Sequence, residues 1–134
     1  MSTAFFDQLE TRDPDAREQA MLALLPSFIR KTLEACPSWA EHLAGHDPGT
    51  LVDRQGLARL PLMRKSQIKA LQGKRPPLGG LATPDASRYG RIFMSPGPIF
   101  EPEGLSVDSW RTARALFAAG IRRGDIVHNT FAYH

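Results

Sequence analysis

One stretch limits what this chain can fold into more than any other: Arg91-Ile92-Phe93-Met94-Ser95-Pro96-Gly97-Pro98-Ile99-Phe100-Glu101-Pro102-Glu103-Gly104. Three apolar residues end in a segment where proline and glycine fill five of nine positions, so a strand beginning at Arg91 must give way to a tight loop. A helical pattern, Trp110 to Ala119, comes next, with Trp110, Ala113, Arg114 and Phe117 on one face and Leu116 beside it. Gly120 followed by Ile121 fits a left-handed helix cap with an apolar closing residue. Arg123-Gly124-Asp125 then turns the chain into a second apolar run, Ile126 to Phe131. Residues 91–134 are therefore expected to form a βαβ unit whose first crossover carries an unusual loop.

The chain ahead of that unit reads as helical from residue 1 to about 73. Asp13 can accept the first free backbone N–H groups, and Pro14 at the first helical position gives up only an N–H without a partner. Met21, Leu22, Leu25, Phe28, Ile29 and Leu33 then recur at helical spacing as one buried stripe, which Pro26 should kink or split. A short helix from Pro37 is expected to bury Trp39 and Leu43. Asp53 should cap another, with Val52 and Leu57 as a hydrophobic staple, and Ser66 should cap a third that runs from Gln67 to Gln72 and stops at Gly73. Residues 74–90, rich in proline and glycine, read as a linker or long surface loop.

At 134 residues the chain has the length of one ordinary domain. The net charge of +3 comes from scattered pairs (Arg64-Lys65, Lys74-Arg75, Arg122-Arg123), which points away from a nucleic-acid partner; the two short helices after Asp53 resemble a helix-turn-helix only superficially. The acidic first 20 residues are unlike a secretory signal, and no run approaches the length of a membrane span. A single cysteine, Cys36, allows no internal disulfide and fits a reducing cytoplasm. Two parallel strands alone make a marginal sheet, so the expectation is an N-terminal piece of a larger α/β protein, or a chain that pairs with its missing portion or a second copy.

Three segments, taken in order, resemble the phenylacetate-coenzyme A ligase-like branch of the adenylate-forming synthetases. They are Leu60-Pro61-Leu62-Met63-Arg64-Lys65-Ser66-Gln67-Ile68, Pro77-Leu78-Gly79-Gly80-Leu81, and Arg91-Ile92-Phe93-Met94-Ser95 followed by Gly97. The last lies where that family has its phosphate-binding loop, Ser-Ser-Gly-Thr-Thr-Gly-Lys-Pro. The resemblance implies an α/β fold: a helical N-terminal segment leading into the first βαβ unit of a larger, incomplete synthetase N-domain. It also implies an enzyme that activates a carboxylic acid, usually an aryl acid, with ATP and Mg²⁺ to an acyl-adenylate and passes the acyl group to coenzyme A. The family's remaining active-site segments, including its catalytic lysine, would follow His134, so no residue here is assigned a catalytic role.

In the family's register Ser95 and Gly97 match. Pro98 and Ile99 stand for the two threonines, Phe100 for a glycine, and Glu101 for the lysine. A phosphate loop works through convergent backbone N–H groups, which Pro96, Pro98 and Pro102 lack. A carboxylate about 5 Å from a phosphate charge is repelled by roughly 3 kcal/mol at an effective dielectric near 20. Two readings stay open: a ligase with a divergent loop, in which Glu101 and Glu103 could hold a metal, or a non-catalytic ligand- or partner-binding relative. Phe131, Tyr133 and His134 stand where the family has an aromatic segment beside the acyl pocket. His42 and His46 share no cysteine or carboxylate cluster with metal-ligand spacing, and His128 reads as a strand histidine rather than a base.

Overall fold

The computed structural model describes residues 4–130. The helical first part and the mixed α/β character of the chain are both present. Helix α1 spans Pro14–Ala35, opened as expected by Asp13, whose side chain accepts from the Ala16 N–H at 2.9 Å. Pro26 does not split it; the helix continues on both sides. The expected stripe divides in two: Leu22, Leu25, Ile29 and Leu33 are half-buried, whereas Met21 and Phe28 are exposed, together with Leu24.

Helix α2, Pro37–His42, packs on α1 and leads into the fully covered Leu43. A 3-10 turn, Pro48–Thr50, also rests on α1 and delivers Leu51, 2% exposed, to the core. Helix α3, Arg54–Ala58, is capped by Asp53, which accepts from the Gly56 N–H at 2.6 Å, and Arg54 reaches back to Glu18 of α1. Val52 and Leu57, the expected staple, both stay exposed. Helix α4, Lys65–Lys74, starts before Ser66 because Gln67 turns back to accept from the Arg64 N–H at 2.6 Å, and it runs through Gly73 to end at Arg75.

The proline- and glycine-rich stretch that follows is fastened to α2 and α4. The buried Ser38 hydroxyl donates to the Gly79 carbonyl at 2.6 Å and accepts from Arg75, the Ser38 N–H donates to the Gly80 carbonyl, and the Trp39 indole N–H donates to the Leu81 carbonyl. Gly79 and Gly80 both sit at left-handed φ, 69° and 65°. A Cβ on Gly79 would lie 2.9 Å from the Gln72 backbone nitrogen. Only glycine lets the strap lie this close to α4.

Strands β1 (Tyr89–Ser95) and β2 (Ile99–Gly104) form an antiparallel hairpin, with Ser95 opposite Ile99 and Phe93 opposite Glu101. This corrects the expected arrangement: the long loop is a three-residue turn, Pro96-Gly97-Pro98, and Phe100 to Gly104 are strand. The reason lies in which way the backbone groups face. The Phe100 N–H and C=O point away from β1 and pair with the side-chain amide of Gln72 on α4, at 2.9 and 2.8 Å. Alternation along the ladder turns residue 102 outward too, so Pro102 costs no interstrand bond.

Helix α5, Ala113–Ala118, is shorter than its apolar pattern. Asp108 accepts from the Thr112 N–H at 2.8 Å, which leaves Trp110 outside the helix, tilted against Phe93 at 6.2 Å between ring centroids. Gly120, at φ 99°, ends it as expected: its N–H donates to Phe117 and that of Ile121 donates to Leu116. Phe6 packs edge-on against Phe117, and Asp7 holds Arg114, tying the start of the described chain to α5. Ile126 to Thr130 pair with no strand among the described residues. Among the described residues the second strand of the sheet is therefore β2, joined by a hairpin; Phe131, the end of the expected crossover strand, lies outside them.

The chain exposes 10610 Å², whereas a compact protein of this length exposes about 7,000 Å². Met21, Leu24, Phe28, Val107 and Ile126 are among the apolar side chains that stand open.

Candidate functional site

The hairpin tip gathers four of the five phosphate-loop positions. Ser95 closes β1, half-buried, with its hydroxyl 3.4 Å from the Ile99 carbonyl. Ile99 is 5% exposed and anchors the turn, holding Gly97 and Pro98 out in solvent. Glu101 lies apart from the tip, one exposed step along β2. Glu103, on the same face of β2 as Glu101, is already engaged by Arg91 at 3.2 Å and by the Ser109 hydroxyl at 3.3 Å. Among the described residues no three His, Cys, Asp or Glu side chains group as a metal site. Phe131, Tyr133 and His134 lie outside the described residues.

Beside the tip, between α4, the strap and β2, is a cavity of about 420 Å³ lined by Trp39, Lys65, Ile68, Gln72, Leu78, Leu81, Ala82, Ile99, Phe100, Glu101, Pro102 and Trp110. Sequence reasoning attached no site to Trp39, Gln72 or Trp110, which are separated along the chain and meet only through the strap and hairpin. The signal for Lys65 was present in the Arg64-Lys65 pair that opens α4. The Cys36 thiol is pushed up by burial, and the Tyr89 phenol by the same cause; its hydroxyl donates to the Thr83 carbonyl. Neither group is in position to act as a nucleophile or base here. His42 sits 3.2 Å from the Pro61 carbonyl and edge-on to Trp39, a structural placement.

No family model matches the chain. It is 27% identical over 139 residues to the phenylacetate-coenzyme A ligase of Pseudomonas putida, an alignment that takes in 97% of this chain and 30% of that one. A crystal structure of 2-hydroxyisobutyryl-CoA ligase in the postadenylation state with 2-HIB-AMP superposes with a TM-score of 0.75 at 25% identity, over 86% of this chain and 26% of the ligase. The same ligase with 2-HIB-AMP and CoA in the thioesterification state gives 0.73 at 24%. The chain thus has the fold of the N-terminal part of an adenylate-forming CoA ligase, and it spans 30% or less of the length of the proteins it matches.

Proposed function

We propose that this chain is the N-terminal part of a CoA ligase-like enzyme that activates a carboxylic acid with ATP and transfers the acyl group to coenzyme A in the cytoplasm. The observation that carries the reading is the match over 86% of the chain to a ligase bound to an acyl-adenylate, and the sequence match to a phenylacetate-coenzyme A ligase makes an aryl acid the first substrate to try. In this reading the Ser95 hydroxyl and the Gly97 N–H face the phosphates, and ATP, Mg²⁺ and coenzyme A are the cofactors. Phe131, Tyr133 and His134 would line the acyl side. The test is acid-dependent release of pyrophosphate from ATP by the polypeptide purified from its own cells through an N-terminal tag. Failure with a broad panel of aryl, hydroxy and fatty acids overturns it.

A second reading, a non-catalytic relative that keeps the fold, is favoured by one specific observation. Pro96 and Pro98 remove two N–H donors from the turn, and the residue in the lysine position is Glu101. Glu101→Lys separates the two: a gain in ATP affinity of about tenfold or more means that β2 still faces a phosphate site, and no change assigns the turn a structural role only.

A further inference from the structure

The cavity between α4 and the hairpin shares Ile99 and Glu101 with the nucleotide reading, and the rest of its lining has a chemistry that reading does not use. Its polar groups divide sharply into spent and unspent. The Trp39 indole N–H is committed to the Leu81 carbonyl at 3.1 Å, so that ring offers the cavity only its apolar surface. Both ends of the Gln72 amide are committed to Phe100, and this in turn satisfies the backbone of the cavity's β2 wall. Ile68, Leu78, Leu81 and Ile99 complete an apolar floor. The two charged groups of the lining, Lys65 and Glu101, make no ion pair with each other or with any neighbour among the described residues.

An apolar cavity with two indoles and one unpaired charge of each sign is complementary to a flat ring carrying both an anion and a cation. Its volume, about 420 Å³, lies in the range of small-molecule sites. Indole faces attract flat rings, and Trp110, 55% exposed and tilted against Phe93, has room to turn onto one. A plain carboxylate would meet Lys65 but leave Glu101 facing it, and an amine alone would do the reverse. A zwitterion answers both.

We infer that this cavity is a binding site for an aromatic amino acid, with the ligand carboxylate on Lys65, its ammonium on Glu101 and its ring between Trp39 and Trp110. The cavity shares Ile99 and Glu101 with the phosphate-loop positions of the ligase reading, but the probes below carry no phosphate and are titrated without ATP, so the two readings fail separately.

The test uses tryptophan, indole-3-propionate and tryptamine as probes, titrated by calorimetry into the polypeptide purified as above. Tryptophan is expected to bind about tenfold more tightly than either single-charge analogue. Lys65→Met should erase the advantage over tryptamine, and Glu101→Gln the advantage over indole-3-propionate. Both changes are at exposed side chains, so the fold should persist, which circular dichroism checks. Equal binding of the three probes, no binding of tryptophan, or variants that leave the selectivity unaltered would each overturn the assignment.

Discussion

The Gln72 amide stands in for a third strand at the outer edge of β2. Gln72→Met keeps the length of the side chain and removes both hydrogen bonds to Phe100. Each is worth about 1 kcal/mol net, so the two together set a loss of about 2 kcal/mol, reduced toward 1 where water reaches the half-open Phe100 backbone. Since α4 meets the hairpin mainly here, the loss should fall on hairpin docking. Hydrogen exchange at the Phe100 amide should therefore quicken by about fivefold to thirtyfold while amides inside α1 change far less. Gln72→Glu adds a sign. At neutral pH the introduced carboxylate accepts from the Phe100 N–H but opposes its carbonyl, and this raises the folded-state pKa. The stabilising protonated form is complete below the unfolded pKa and is lost as pH rises through the raised folded value. The variant should thus be weakest near neutrality and recover toward about pH 4. Unchanged Phe100 exchange in Gln72→Met, or a Gln72→Glu deficit that grows on acidification, would refute the reasoning.

Three further outcomes are expected. Gly79→Ala should cost about 1–2 kcal/mol for the left-handed backbone and more for the Cβ at 2.9 Å from Gln72, whereas Gly45→Ala, with open space around it, should cost the first part only; urea midpoints compare them. Ser38→Ala, which orphans the Gly79 carbonyl and leaves Arg75 held by Glu41 alone, should lower stability by about 1–3 kcal/mol in the same assay. Hydrogen bonds from Arg114, Arg54 and Arg75 hold the Asp7, Glu18 and Glu41 carboxyls below their ordinary values. Folded-state pKa values that are depressed give stability present above the ordinary carboxylate range and lost as pH falls through the folded values. Acid unfolding should accordingly set in below about pH 4, and about 1 M salt should flatten it, read by ellipticity against pH.

What could be read from the sequence was whatever local chemistry decides. Asp13 with Pro14, Asp53 and Gly120 each satisfy or redirect backbone groups within four residues, and all three behave as read. The ordered segments around Leu60-Pro61, Pro77 and Arg91 carried the ligase-like fold. What could not be read depended on partners far along the chain. Pro102 looks like a loop residue until it is known that its missing N–H faces away from β1. Gln72 looks like a helix-surface residue until Phe100 lies 28 positions on and beside it. Residues 75–84 look like a tether because the groups that pin them, Ser38 and Trp39, come 40 residues earlier. The candidate site shares this limit: Ser95 to Ile99 are contiguous and could be marked as candidates from the sequence, while the cavity beside them is lined from five separate segments.

The hairpin also fixes the direction in which its sheet can extend. On the β2 side, Gln72 occupies the Phe100 groups and Pro102 has no donor, so no further strand can dock there. On the β1 side, the alternation that turns Phe100 and Pro102 outward leaves the backbone groups of their register partners, Met94 and Ile92, facing away from the hairpin. The sheet is sealed on one margin and a template on the other, so any strand that joins this chain, from whatever polypeptide, must enter along β1.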